Sequence, residues 1–229
     1  MEAGFCHKQA RQYEQSETYY KEAIGLAMKM KDDWRLETYY HELGQTYDFW
    51  GKKDEAIKTY LLSIEVKKRV KDEVNMPVTL NNLASVYSDK LRFEEAIKTY
   101  EEPATLAAKH DMKDLLPIIK SGLSRVYSRT FNHEMALKLA KEALELEKAG
   151  GDKTKIPSRM STLGSAYDGM KQFDKAVQVY NEALPLAKEN GDVLTVAALY
   201  NNRGAALDAL KRPDAAHEDY KMAIQLYDG

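Results

Sequence analysis

Apolar and polar residues follow one another along this chain with the spacing of amphipathic helices. In one segment the apolar side chains Tyr40, Leu43 and Tyr47 are three and then four residues apart, which places them on one helical face. A second segment begins soon afterwards and places Ala56 and Tyr60 on one face in the same way. No part of the chain alternates with a period of two over a useful length. The pattern therefore predicts helices and no sheet.

The pattern returns every 40 residues. Five related segments start at that interval: LGQTY at 43, LASVY at 83, LSRVY at 123, LGSAY at 163 and RGAAL at 203. A second series of alanines keeps the same step: Ala56, Ala96, Ala136, Ala176 and Ala216. Four residues after each alanine stand, in order, Tyr60, Tyr100, Ala140, Tyr180 and Tyr220. Two signatures in one register predict a solenoid in which each unit, a pair of helices, stacks on its neighbours.

Small and turn-forming residues recur in this register too. The residue after each repeat leucine or arginine is small, and we expect a neighbouring helix to approach closely there: Gly44, Ala84, Ser124, Gly164 and Gly204. Between units we expect helix starts at the aspartates Asp32, Asp72, Asp152 and Asp192, and near the prolines Pro77, Pro117 and Pro157. Two prolines, Pro103 and Pro185, fall inside predicted second helices, where we expect a kink.

Composition narrows the choice of partner. The chain has 229 residues, with 34 Lys and Arg against 36 Asp and Glu. This near balance of charge favours neither nucleic acid nor an anionic membrane as the partner. No segment approaches the roughly 20 apolar residues of a membrane helix, so we expect no membrane contact by this fragment. A single cysteine, Cys6, excludes a disulfide framework and a multi-cysteine metal site.

The two signatures together resemble the tetratricopeptide repeat, although the period here is 40 residues and the commonest form has about 34. Segments such as TLNNLASVY are similar to the long-helix variety of kinesin light chains and of bacterial regulators and sensors. The resemblance implies an all-α, right-handed superhelical solenoid of antiparallel helix pairs, with about 11–12 helices. Residues 1–229 would form one solenoid: a partial repeat over 1–36, then repeats over 37–76, 77–116, 117–156, 157–196 and 197–229.

Some residues depart from the repeat pattern. Arg203 and Leu207 stand where the repeat has leucine and tyrosine, and Pro103 replaces a small residue. The last repeat is therefore atypical, and the pattern is cut at both ends. We expect the chain to be a fragment of a longer protein.

In the family, partners bind in a concave groove lined by the first helix of each pair. Carried over position by position, the resemblance implies these groove residues: His41, Gln45, Asn81, Asn82, Ser85, Arg125, Arg129, Asp168, Asn201 and Asn202. The same positions include Asp48, Asp89, Ser121, Ser161, Ser165 and Asp208. The set is polar and mixed in charge, which suits a peptide better than a polyanion.

Two pairs of groove residues have an alternative explanation. Asn82 and Asn202 match the asparagine that bonds the backbone of a bound peptide in family members, but an exposed asparagine can also be simply solvated. Arg125 and Arg129 are one turn apart and can clamp a carboxylate or phosphate, or form a salt bridge with Asp89 or Asp168. The carboxylate clamp of chaperone-tail receptors is disfavoured, because its positions hold His41, Gln45, Asn82, Ile118 and Gly122.

The sequence shows no enzyme signature. Its five histidines occur singly, without a second histidine or cysteine at a metal-ligand spacing, and the segment GGDK lacks the rest of a phosphate-binding loop. The pair Cys6 and His7 is more typical of structure than of catalysis. We expect neither a cofactor nor a metal ion.

These observations favour a non-enzymatic module that binds a protein or peptide segment, as the sensor, regulatory or adaptor part of a larger bacterial protein. The alternative is self-assembly into homo-oligomers through solenoid ends or the convex face. The compartment stays open between the cytoplasm and the bacterial periplasm.

Overall fold

The computed structural model describes residues 12–150 and 153–228, and these contain eleven α-helices, one short 3-10 helix and no strand. Cys6, His7 and Asp152 lie outside the described residues. The chain divides into two compact units between Asp111 and Met112. We call the described residues up to Asp111 unit 1 and those from Met112 unit 2.

Unit 1 contains five helices that follow one another in space as they do in the chain. They are α1 (Tyr13–Met30), α2 (Asp33–Phe49), α3 (Lys53–Val70), α4 (Met76–Asp89) and α5 (Phe93–Lys109). Each helix packs against the next one along the chain. Helices α2 and α3 form one pair, α4 and α5 form another, and α1 is the second helix of the preceding repeat.

Unit 2 contains three helix pairs. They are α6 (Leu115–Arg129) with α7 (His133–Gly150), α8 (Ile156–Gly169) with α9 (Phe173–Glu189), and α10 (Val193–Ala209) with α11 (Pro213–Asp228). A 3-10 turn at Lys153–Lys155 precedes α8. Each unit is thus a stack of helix pairs, and the all-α solenoid prediction is confirmed.

The repeat tyrosines and small residues form the core within each pair. Tyr60 and Tyr180, on second helices, are completely buried. Each ring lies against the glycine of its own first helix, so that a Cβ at Gly44 would lie 2.6 Å from Tyr60 Cδ1 and one at Gly164 only 2.2 Å from Tyr180 Cε1. The helices of a pair can approach this closely because the facing residue has no side chain.

The turn inside each pair is set by the backbone. Gly51 has a positive φ, and so do the residues at the equivalent positions, although none of them is glycine: Leu91, Phe131, Lys171 and Lys211. The N–H of the next residue donates back to the carbonyl of the repeat tyrosine, as from Lys52 to Tyr47 at 2.9 Å. This hydrogen bond closes the first helix and reverses the chain within three residues.

Of the three aspartates between repeats that the structure describes, Asp32 and Asp192 begin a helix as predicted. The prediction is wrong for Asp72, because α4 begins at Met76 and its N-cap is Asn75. Asp32 and Asp192 are N-caps, and their carboxylates accept hydrogen bonds from the N–H of Arg35 at 3.1 Å and of Thr195 at 3.0 Å. Asp72 accepts from the N–H of Val74 and Asn75 instead. Helices α5 and α9 continue through Pro103 and Pro185.

The leucine position occupied by arginine in the last repeat has a polar partner. Arg203 donates to both carboxylate oxygens of Asp219 on α11, at 2.7 and 2.6 Å, and to Asn181 on α9 at 2.6 Å. The two-pronged ion pair links α10 to α11 where the other repeats use an apolar contact.

Candidate functional site

All ten predicted groove residues lie on first helices. His41 and Gln45 are on α2, Asn81, Asn82 and Ser85 on α4, Arg125 and Arg129 on α6, Asp168 on α8, and Asn201 and Asn202 on α10. Each is half-buried or exposed.

The helical repeat explains this placement. On α2 the buried side chains include Leu43, Gly44 and Tyr47, whereas His41 and Gln45 point to the side between the buried face and solvent. Residues four apart share a face of a helix, so the polar positions of each first helix form a continuous strip. We call the strips that carry the ten predicted groove residues the first-helix face of each unit.

In unit 1, His41 is at the centre of a hydrogen-bonded chain. Gln45 Nε2 lies 2.7 Å from His41 Nε2, and His41 Nδ1 lies 2.9 Å from the hydroxyl of Thr79 on α4. An amide nitrogen only donates, so His41 Nε2 accepts, and the ring proton sits on Nδ1 and is donated to Thr79. The imidazole is therefore held between two first helices.

A cleft of about 210 Å³ opens beside this histidine. Its lining comprises Glu37, Thr38, His41, Lys67, Asn75, Val78 and Thr79. At its base Lys67 pairs with Glu37, and its ammonium lies 3.5 Å from Asp72. Only 3% of Lys67, 3% of Glu37 and 5% of Asp72 is exposed, and the formal charges of these three buried groups sum to one negative charge.

One lysine pairs with two carboxylates at the end of the unit 1 face. Lys53 donates to Asp48 at 2.5 Å and to Asp89 at 2.7 Å, and so joins the two first helices. Burial alone would lower the pKa of Lys53, but these two hydrogen bonds outweigh burial and raise the pKa. The lysine therefore stays charged.

The asparagine pair of unit 1 makes only weak contacts. Asn81 Nδ2 donates to Asn82 Oδ1 at 3.4 Å, the outer limit of a hydrogen bond. The Asn82 side chain also faces the hydroxyl of Tyr60. Burial and then the charge of Asp48 raise the pKa of Tyr60, and Asn82 offsets part of this rise.

The asparagine pair of unit 2 repeats this geometry. Asn201 Nδ2 donates to Asn202 Oδ1 at 3.4 Å, and Asn202 Nδ2 donates to Ser161 Oγ on α8, also at 3.4 Å. The carboxamide of Asn202 is thus oriented across the two first helices without a strong bond.

Asp168 of unit 2 has a different partner from its counterpart Asp48. The Tyr180 hydroxyl donates to Asp168 Oδ2 at 2.8 Å, and Asp168 Oδ1 is buried without a hydrogen-bond partner among the described residues. Burial raises the pKa of the Asp168 carboxyl to about 6, and the bond from Tyr180 offsets only part of this rise.

A second cleft, of about 320 Å³, lies between α6, α8 and α10 in unit 2. Its lining comprises Arg125, Ser158, Ser161, Thr162, Ser165, Leu194, Thr195, Ala198 and Asn202. Four predicted groove residues come together here, namely Arg125, Ser161, Ser165 and Asn202. Arg129, one turn along α6, is not part of the lining, so the two predicted arginines do not share this cleft.

Sequence reasoning missed several residues of both clefts. In unit 1 it missed Thr79 and the buried pair Glu37 and Lys67, and in unit 2 it missed Ser158 and Thr195. One signal was present for Lys67, because the equivalent position in the next repeats holds Ala107, Glu147 and Ala187. The column therefore holds alanine in two of these four repeats and a charge in the other two, and a charge at a position that elsewhere holds alanine indicates a buried partner.

The described residues contain no group of three or more His, Cys, Asp or Glu side chains able to hold a metal ion. Within the same part of the chain, no helix combines the length and the apolar character needed to cross a bilayer.

Models of the tetratricopeptide repeat match most of the chain. One matches residues 115–189 and 159–228, a second matches 37–69 and a third matches 79–114. No curated protein matches the chain.

Several solved structures share the fold. BtubC (BKLC) from P. vanneervenii superposes with a TM-score of 0.77 at 19% identity, over 94% of this chain and 91% of that one. A signal transduction ATPase with a tetratricopeptide repeat sensor, from Pyrococcus horikoshii, gives 0.80 at 19% identity, over 98% of this chain and 36% of that one. Aspartyl phosphate phosphatase F from Bacillus subtilis gives 0.78 at 12% identity, over 98% and 68% respectively.

Proposed function

Because this chain belongs to the tetratricopeptide repeat family, whose stacked helix pairs serve as protein-interaction scaffolds, we propose that its first-helix face binds an extended peptide. The chain would be the sensor, regulatory or adaptor part of a larger bacterial protein. The partner is a protein or peptide segment, and the binding itself requires no catalysis.

The geometry of the two asparagine pairs carries this proposal. Asn82 and Asn202 stand at equivalent positions, 120 residues apart, and each has a neighbouring asparagine donating to it at 3.4 Å. The N–H of a carboxamide can donate to the carbonyl of a peptide bond, and the carboxamide oxygen can accept from the peptide N–H. Since their bonds within the protein are long, a peptide can replace them at little cost.

The half-buried state of these side chains supports the same role. Asn82 and Asn202 are partly shielded from water, so a hydrogen bond to a ligand there competes less with solvent than at an exposed site. Asn202 lines the unit 2 cleft of about 320 Å³, which gives room for a ligand side chain. Asn82 lies three residues after Thr79 on α4, and Thr79 lines the unit 1 cleft of about 210 Å³.

The experiment measures peptide affinity in a double variant. An array of capped octapeptides of random sequence is screened against the protein, and the affinity of the best binders is measured by fluorescence anisotropy. In the double variant Asn82→Ala with Asn202→Ala, whichever unit holds the peptide loses hydrogen bonds worth about 1 kcal/mol, so binding should weaken about fivefold. The thermal unfolding followed by circular dichroism should not change.

The matched control removes two exposed carboxamides from second helices. Gln178→Ala with Gln225→Ala changes α9 and α11 and should leave the affinity unchanged. Equal affinity in wild type and the asparagine double variant would refute the groove assignment.

Self-assembly is a second candidate function, and one observation favours it. The last helix, α11, exposes the apolar side chains Met222, Ile224 and Tyr227. A second copy could cover them. Light scattering over a range of protein concentrations distinguishes the two functions, because a monomer at all concentrations that binds peptide excludes assembly as the main role.

A further inference from the structure

The cleft of unit 2 differs from the rest of the first-helix face in charge. Among its lining residues Arg125 is the only charged one, and no acidic side chain takes part. The cleft of unit 1 has Glu37 and Lys67 in its lining, and the pair cancels. A negative group entering the unit 2 cleft therefore meets a positive charge and no acidic side chain in the lining.

Arg125 supplies the positive charge of this cleft, and the described residues of unit 2 offer it no ionic partner. Arg125 is exposed, and it forms no hydrogen bond or ion pair with the described residues of unit 2. The aspartate on the neighbouring helix α8, Asp168, is bonded by Tyr180 instead. All the donors of the guanidinium are therefore available to a ligand.

Hydroxyl groups on α8 add neutral donors around the arginine. The Ser161 hydroxyl accepts from Asn202 at 3.4 Å, so its own proton is still free to be donated. Ser158 lies one turn earlier on the same helix and lines the same cleft. Ser165 is less available, because its hydroxyl donates to the Ser161 carbonyl at 3.1 Å.

We propose that this cleft is an oxyanion subsite: Arg125, with the hydroxyls of Ser158 and Ser161, receives a carboxylate or phosphate carried by the bound peptide. Guanidinium forks match the planar geometry of a carboxylate and two oxygens of a phosphate. Leu194 and Ala198 give the cleft an apolar wall for the carbon atoms that carry the anion. The assignment rests on the proposed function, since the anion belongs to the peptide.

The first arm of the test uses inorganic phosphate and needs no peptide. In a ¹⁵N NMR titration, the side-chain Nε–Hε signal of Arg125 and the amide signals of Ser158 and Ser161 should shift with a common saturation curve. Arg125→Gln should weaken phosphate binding about tenfold or more, because it removes the charge-assisted bonds. Arg125→Lys keeps the charge without the fork and should give an intermediate loss.

The matched control is another exposed arginine of unit 2. Arg212, in the turn before α11, is 59% exposed and its closest acidic group is Asp174 at 4.0 Å. Arg212→Gln should leave phosphate binding unchanged. No saturable shift in wild type, or the same loss in both glutamine variants, would overturn the subsite.

The second arm compares two capped pentapeptides that differ only in phosphorylation of the central serine. The phosphorylated peptide should bind about tenfold more tightly to wild type, and the difference should disappear in Arg125→Gln. If both peptides bind equally and both lose affinity in the Asn82 and Asn202 double variant, the groove function stands and the subsite is refuted. If phosphate binds through Arg125 but no peptide binds, the anion site is supported and the proposed peptide-binding function is refuted.

Discussion

Units 1 and 2 present the same helical register with different polar chemistry. Asp48 and Asp168 are equivalent residues at the ends of first helices. Asp48 is paired with Lys53, whereas the equivalent residue after Asp168 is Phe173. Among the described residues, the Asp168 carboxylate accepts a hydrogen bond from Tyr180 alone. A shared backbone therefore does not fix the charge of the first-helix face, because a single side chain in the following turn decides whether the aspartate has a cationic partner.

The two units also bury charge differently between neighbouring helices. In unit 1, Lys67 faces two carboxylates, Glu37 and Asp72. In unit 2 the residue equivalent to Lys67 is Glu147, which pairs with Arg159 at 2.8 Å. At this position, unit 1 has one buried cation for two buried carboxylates, whereas unit 2 has one cation for one carboxylate.

The largest expected effect follows from that imbalance. Lys67→Met leaves Glu37 and Asp72 buried without their cation, and should lower the free energy of unfolding by about 3–5 kcal/mol. Arg159→Met leaves one uncompensated carboxylate, so its effect should be smaller. Urea denaturation followed by circular dichroism measures both.

Two further variants test whether charge is the cause. Lys68→Met changes the neighbouring lysine, which is 56% exposed, and should alter stability by no more than about 0.5 kcal/mol. Adding Glu37→Gln to Lys67→Met should recover a large part of the lost free energy of unfolding, because it removes one of the two uncompensated charges. If Lys67→Met is as stable as wild type, the charge cluster does not hold α2 against α3.

A smaller effect is expected at Asp168, and it depends on pH. The folded pKa of about 6 lies above the ordinary aspartate pKa of about 3.9, so the folded protein keeps its proton between these values while the unfolded chain has lost it. This contribution to stability is complete below about pH 4, falls as pH rises to about 6, and stays lost above. Asp168→Asn should abolish this fall, and raise the unfolding free energy at pH 7 by about 1 kcal/mol after allowance for solvent screening.

The equivalent variant in unit 1 should act in the opposite direction. Asp48→Asn removes a partner of Lys53 and should lower stability slightly at pH 7. Each variant is compared with wild type at pH 4 and at pH 7, which cancels the titration of the other groups. If the free energy of unfolding has the same pH dependence in wild type and in Asp168→Asn, then burial does not raise the pKa of Asp168.

Much of the fold could be predicted from the sequence because the same pattern of residues recurs in each repeat. The tyrosine after each alanine and the glycine facing it are local, periodic signals, and Tyr60 with Gly44 and Tyr180 with Gly164 meet as the period requires. The capping aspartates Asp32 and Asp192 are equally local.

The details that could not be predicted depend on contacts between helices or on backbone geometry. Leu91 and Phe131 adopt a left-handed conformation that their side chains do not favour, because the turn closes through a backbone bond. The hydrogen bond of His41 to Thr79 joins residues 38 apart, and no spacing rule along one helix indicates it. The sequence could place the candidate groove residues on first helices, but it could not show which of their side chains have partners within the protein.

The central claim, that the first-helix face binds a peptide, is tested most directly by mapping a bound peptide onto the protein. With ¹⁵N-labelled protein and the best octapeptide of the array, the side-chain amide signals of Asn82 and Asn202 and the backbone signals of α4, α8 and α10 should shift on binding. Signals of the second helices, including the Gln178 and Gln225 amides, should stay in place. Shifts on α9 and α11 with the first helices unchanged would contradict the account.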